Sequence, residues 1–140
     1  MQNKKGFTII ELIIVIAIIA VLAAIVLVNV TQYIAKGRNA AIKGNMTSLL
    51  VEAAVYYDQN QNYTNFNTSP KYASFAAAIS ESGGSPVVQN ITENAFCACS
   101  PLAVIDADPE GSTYCVDSTG VKKQTITACN TECDATGVCL

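Results

Sequence analysis

Histidine is absent from the 140-residue chain. That removes the commonest general base, the commonest proton shuttle and the commonest transition-metal ligand. A serine hydrolase would then need the uncommon lysine base, and no nucleophile–base pair can be assembled. Charged residues are scarce, at 14%, and sum to −3. No basic patch stands out, since Lys122-Lys123 is too short to make one. A surface of that sign repels nucleic acid and anionic lipid, so neither is an expected partner of the polar part. No cysteine precedes Cys97, and neither proline nor glycine falls between Phe7 and Lys36. Together these absences point away from catalysis.

What the sequence has is one dense apolar block. Every residue from Leu12 to Val28 is apolar, and extending back to Phe7 adds only Thr8 and Glu11 as polar interruptions. As a helix, Phe7–Val30 would be about 36 Å long, enough to cross a bilayer core. The run is longer than the apolar region of a cleaved secretory signal and continues into further helical pattern. Lys4 and Lys5 ahead of it place the N-terminus in the cytoplasm and the remainder outside. A carboxylate at Glu11 is costly in such a segment and is a functional candidate. The plainer alternative is a first-turn acid at the interface, complementing the helix dipole.

The leader weighs on that choice. Met1–Gly6 is short, polar and basic and ends in glycine; Phe7-Thr8-Ile9-Ile10-Glu11 and the apolar run follow. This arrangement resembles the processing site of type IV prepilins, strongly over Met1–Tyr33 and more loosely to about Asn67. The resemblance implies cleavage after Gly6 by a prepilin peptidase and a mature, N-methylated Phe7. It also implies that Glu11 meets the terminal amine of a neighbouring copy in a helical filament built by pilus assembly machinery. A buried carboxylate is tolerable when paired, and the amine released by cleavage is itself a charge in need of a partner. Many family members interrupt this helix with proline or glycine, and this chain does not.

Three segments are expected: a leader at 1–6, a membrane or filament-core helix at 7–30, and an extracellular domain at 31–140. Past the apolar block, Ile34, Ile42, Met46, Leu49, Leu50, Ala53 and Tyr57 recur at helical spacing, carrying the helix to about Asp58. Ser69-Pro70 is a helix start, with Tyr72, Phe75, Ala76 and Ile79 on one face, and Ser82–Pro86 breaks that helix. Alternation predicts strands at Val87–Thr92, Ala95–Ile105, Thr113–Val116 and Val121–Thr127. Helix first and antiparallel meander second is an α+β order, and it resembles the pilin architecture.

Cys97, Cys99, Cys115, Cys129, Cys133 and Cys139 crowd the C-terminal third, an even number that reads as disulfides in an exported domain. Their spacing lacks the paired C-x₂-C of zinc modules. Cys97 and Cys99 share a strand face and should bond to different partners, with at least one bridge pinning the tail. The fifteen ways of pairing six cysteines stay open. Asp106, Asp108, Glu110, Gly111 and Asp117 approach the spacing of a calcium loop. Pro109, the short Asp117 and the lack of flanking helices argue instead for a solvated acidic hairpin, with Asp117 opening an Asp-Ser-Thr-Gly turn. No other cofactor is expected. Tyr33, Tyr56, Tyr57 and Tyr63 read as packing residues rather than an electron path.

The leading expectation is a structural filament subunit that sits in the inner membrane before assembly and on the cell surface after it. The alternatives are a pseudopilin or minor pilin of a secretion or DNA-uptake system, and a signal-anchored surface domain that never polymerises.

Overall fold

A computed structural model of the chain describes residues 6–89, 91–105, 108, 110–134 and 136–140. Two compact units emerge, Met1–Ile34 and Ala35–Leu140. Helix α1, Ile9–Asn60, runs through both. It is followed by a single 3₁₀ turn at Phe66–Thr68, helix α2 at Pro70–Glu81, strands β1 (Val87–Gln89), β2 (Cys97–Pro101), β3 (Thr113–Asp117) and β4 (Lys122–Thr125), and a short helix α3 at Cys129–Glu132.

In the first unit every described side chain from Gly6 to Leu27 is exposed. Helix α1 is long and apolar enough to cross a membrane, with a mean hydropathy of 3.3 in its most apolar window. All of the expected leader but Gly6, residues 1–5, lies outside the described residues.

The second unit has its core on one face of the sheet. Ile42, Met46, Leu49 and Ala53 of α1 recur at intervals of three and four and are all fully buried. They join Phe66, Ile79, Phe96, Ala98, Leu102 and Val116 in one cluster. Tyr56, Tyr57, Tyr63 and Tyr72 contribute their rings to its edge: Tyr57 and Tyr63 lie 4.7 Å apart, and Tyr63 and Phe96 lie 5.0 Å apart. Tyr33, by contrast, is exposed. Helix α1 continues to Asn60, two residues beyond the expected end, because its last carbonyls find side-chain donors. Asn60 Nδ2 donates to Tyr56 O and Gln61 Nε2 to Asp58 O. Gln61 then turns the chain with a φ of 58°. Helix α2 begins as its sequence dictates, with Ser69 Oγ accepting from Tyr72 N–H at 3.2 Å and Pro70 in the first turn.

The sheet is a four-stranded antiparallel meander in chain order. Strands β1, β2 and β4 are shorter than alternation alone predicts, β3 runs one residue longer, to Asp117, and Asn90, inside one expected strand, lies outside the described residues. Pairing of Ala98 with Val116 puts both on the core face. The two-residue period then places Cys97, Cys99 and Cys115 on the opposite face. A second cluster forms there, in which these three meet Cys129, Cys133 and Cys139 of the tail. Buried Glu132 of α3 is reached from β4 by Lys123 Nζ at 3.1 Å. The helix at Cys129–Glu132 is absent from the expected elements, because four residues are too few to show a period.

Candidate functional site

At the N-terminus, Thr8 and Glu11 close a reciprocal cap on α1. The Thr8 N–H donates to Glu11 Oε2 at 2.9 Å and the Thr8 hydroxyl to the same oxygen at 2.7 Å. Glu11 N–H returns a bond to Thr8 Oγ1 at 3.3 Å. With the helix starting at Ile9, these are the cap and third positions of a capping box. The spacing Thr8-x-x-Glu11 was sufficient to find it, and sequence reasoning looked past it to the longer motif. Gly6 and Phe7 precede the helix as exposed, irregular chain.

Among the described residues, the acidic residues of the calcium expectation do not converge. Asp108 is buried, and its carboxylate accepts from Asn39 Nδ2 at 2.7 Å, from Lys43 Nζ at 3.3 Å and from Gln124 Nε2. Burial alone would raise its pKa. Hydrogen bonds from Asn39, Gln124 and Lys43, with the Lys43 charge, outweigh that and hold the carboxyl below the usual range. Asp117 is fully buried and already saturated. Its Oδ1 accepts from Thr119 N–H at 2.8 Å, Thr119 Oγ1 at 2.6 Å and Val121 N–H at 3.3 Å, and its Oδ2 accepts from Cys139 N–H at 2.8 Å. Glu110 is exposed on a turn. A twelve-residue ion loop would have to wrap residues 113–117 around the metal, whereas they form β3 and pair on both sides. Asp106 lies outside the described residues.

Asn39 is the residue that sequence reasoning missed here. Its carboxamide donates to Ala103 O at 2.8 Å and accepts from Ala103 N–H at 2.8 Å, besides reaching Asp108. A polar residue in a helix normally reads as solvent-facing, and no local signal marks a partner 64 residues away.

The cysteines pair Cys97 with Cys133, Cys99 with Cys129 and Cys115 with Cys139, with Cα separations of 5.7, 5.4 and 6.1 Å. Cys97 and Cys99 take different partners, as residues on one strand face must. All three bridges run from the sheet to the last twelve residues, so the tail is stapled across the face opposite α1. Two turns on this face are near copies of each other. In Asp134-x-Thr136-Gly137-Val138, Oδ1 accepts from Thr136 N–H, Thr136 Oγ1 and Val138 N–H, matching Asp117-x-Thr119-Gly120-Val121 donor for donor. Gly120 and Gly137 take φ values of 89° and 80°, which requires glycine at the fourth position. The hydroxyl of Thr136, followed by the backbone of Val138, holds the Asp134 carboxyl below its usual range. The recurrence of Asp-x-Thr-Gly-Val was visible in the sequence as a repeated turn.

A family profile described as a prokaryotic N-terminal methylation motif matches residues 1–27. The chain is 34% identical over 64 residues to the type IV major pilin protein PilA of Myxococcus xanthus, covering 46% of this chain and 29% of that one. It is 38% identical over 64 residues to the type IV wide pilus major component PilA4 of Thermus thermophilus, covering 46% and 49%. It is 45% identical over 58 residues to a type IV major alpha-pilin of Moraxella bovis, covering 40% and 36%. Each match thus spans less than half the relative's length. No solved structure matches the chain. A methylation motif leading into a long apolar helix, with an antiparallel sheet stapled by disulfides behind it, makes this chain similar to the type IV pilins, with the likeness in sequence confined to less than half of its length.

Proposed function

We propose that the chain is the precursor of a subunit of a type IV pilus-like filament. Residues 1–6 are its leader, cut after Gly6 by a prepilin peptidase, and Phe7 becomes the methylated N-terminus. The helix holds the subunit in the inner membrane, N-terminus inward, until the assembly machinery packs copies of it into a filament at the cell surface. The observation that carries this reading is the apolar helix exposed on every side from Ile9 to Leu27, within the stretch that matches a methylation motif. So much apolar surface must be covered by lipid or by other copies of the same helix.

Glu11 is the assembly residue in this proposal. Thr8 engages Oε2 in both hydrogen bonds described for the carboxylate. The second oxygen can accept from the terminal amine of Phe7 in a neighbouring copy, neutralising two charges inside an apolar bundle. Before cleavage that amine does not exist, so assembly waits for processing.

The experiment is mass spectrometry of the N-terminal peptide, on filaments sheared from the native cell surface and on the membrane fraction. An abundant peptide beginning at methylated Phe7 in the sheared material supports a polymerised subunit. Processed Phe7 confined to the membrane fraction favours a pseudopilin or minor subunit. An intact Met1 in both overturns the proposal.

A further inference from the structure

The two bridges Cys97–Cys133 and Cys115–Cys139 lie against each other. Cys97 Sγ is 3.3 Å from Cys115 Sγ and 3.8 Å from Cys139 Sγ. Neither partner carries a thiol hydrogen, so these are sulfur–sulfur contacts between two disulfides. The sulfurs of Cys97, Cys115 and Cys133 all fall within 4.8 Å of one another. Cys133 and Cys139 are moreover opposite residues of an antiparallel bridge, which sets their Cα atoms about 4.5–5.5 Å apart, within disulfide range. The third bridge, Cys99–Cys129, makes no comparable contact among those described.

We propose that these four sulfurs form a thiol–disulfide exchange site, at which an external thiol acts as catalyst and converts the two described bridges into a second disulfide isomer, Cys97–Cys115 with Cys133–Cys139. The thiolate enters at Cys139, next to the chain end and the most exposed of the four at 9%. It bonds to Cys139 Sγ, the Cys115–Cys139 bond breaks, and the electron pair leaves on Cys115. The Cys115 thiolate attacks Cys97 Sγ 3.3 Å away, forming Cys97–Cys115 and expelling Cys133 as thiolate. Cys133 then attacks the mixed disulfide at Cys139, closes Cys133–Cys139 and returns the external thiolate. Two disulfides enter and two leave, so no oxidant or reductant is consumed.

The two isomers differ in what holds the tail. In the described one, two bridges tie residues 133–139 to β2 and β3. In the other, β2 is stapled to β3, and the tail beyond Cys129 becomes a seven-residue covalent loop, Cys133 to Cys139, around the second Asp-x-Thr-Gly-Val turn, free of the sheet. The reaction concerns only the second unit and is independent of whether the chain polymerises.

The test uses the full-length chain in detergent, exposed to a catalytic amount of a small monothiol at mildly alkaline pH and quenched with acid. Cleavage after Glu110, after Lys123 and before Asp134, without reduction, yields a linked map by mass spectrometry. The described isomer gives two species: Cys97 and Cys99 joined to Cys129 and Cys133, and Cys115 joined to Cys139. Exchange converts them to one species holding all four segments, in which fragmentation places Cys97 with Cys115. Conversion that depends on thiol and is lost in urea, where pairings scatter, is the expected result. An unchanged two-species map, or conversion to Cys97–Cys139 instead, overturns the proposal. In a Cys99→Ala/Cys129→Ala double variant, which lacks the link between the two pairs, exchange is expected to give two new species, Cys97 joined to Cys115 and Cys133 joined to Cys139; their absence there overturns the assignment to these four sulfurs.

Discussion

The side chain of Asn39 pairs with Ala103 as a strand would, giving and accepting one backbone hydrogen bond at 2.8 Å each. A helix residue thereby supplies the partner that the chain leaving β2 lacks, and the same carboxamide orients Asp108. Asn39→Ala strands a backbone donor and acceptor and is expected to destabilise the domain by about 1–3 kcal/mol. Asn39→Asp should cost more, because it adds a second carboxylate beside Asp108. Denaturant unfolding of the full chain in detergent measures both, and an Asn39→Ala variant as stable as its parent would contradict the pairing.

Asp108 makes part of this stability dependent on pH. Its folded pKa lies below the ordinary aspartate value of about 3.9. The sign follows: the contribution is fully present above the unfolded value and is lost as pH falls through the depressed folded one. Thermal unfolding between neutral pH and pH 3 should show Asp108→Asn less stable than the parent at neutral pH and closer to it in acid. Parallel curves for the two would remove Asp108 from the acid response.

Capping and pairing at Glu11 can be separated. Thr8→Ala and Glu11→Ala both break the capping box, at about 0.5–2 kcal/mol each. If Glu11 also neutralises a neighbour's amine, Glu11→Ala should abolish or sharply reduce filaments seen by electron microscopy, while Thr8→Ala leaves most of them. Equal losses would reduce Glu11 to a cap.

Asp117 and Asp134 head matching turns but should not respond alike to asparagine. An asparagine keeps the Oδ1 acceptor that each turn uses. At position 117, however, its amide would face the Cys139 N–H that Oδ2 now accepts, donor against donor inside the protein. At position 134 the second oxygen accepts from an exposed hydroxyl, that of Thr136. Asp117→Asn is expected to lower the melting temperature clearly more than Asp134→Asn, and a reversed order would refute the assignment.

Removing each bridge as a double alanine variant should cost about 2–4 kcal/mol. The separations of 36, 30 and 24 residues are too alike for loop entropy to rank them. Burial ranks them instead: Cys129 is only partly buried, whereas Cys97, Cys133, Cys115 and Cys139 are buried. The Cys99–Cys129 variant should therefore be the mildest of the three in thermal unfolding.

What the sequence disclosed and withheld follows from the range of each interaction. The helix stripe Ile42–Met46–Leu49–Ala53, the Ser69 cap and the meander order were legible, because each is written in neighbours a few residues apart. The strand period also put Cys97 and Cys99 on one face. Asn39 was not legible, since its partners lie in a loop that only the folded sheet brings near. The cysteine pairing was withheld for the same reason. The acidic run from Asp106 to Asp117 approaches a calcium spacing, and spacing cannot report that residues 113–117 are committed to a strand.

The stapled tail also has a mechanical meaning. Stretched by its two ends, the chain would bear force from Cys97 straight to Cys133 through sulfur, bypassing a sequence separation of 36. At roughly 3.3–3.6 Å per residue, about 120 Å of contour is withdrawn from extension. A single-molecule pull should then yield the helices and loops ahead of β2 and stop short, gaining that length only after a reductant is added.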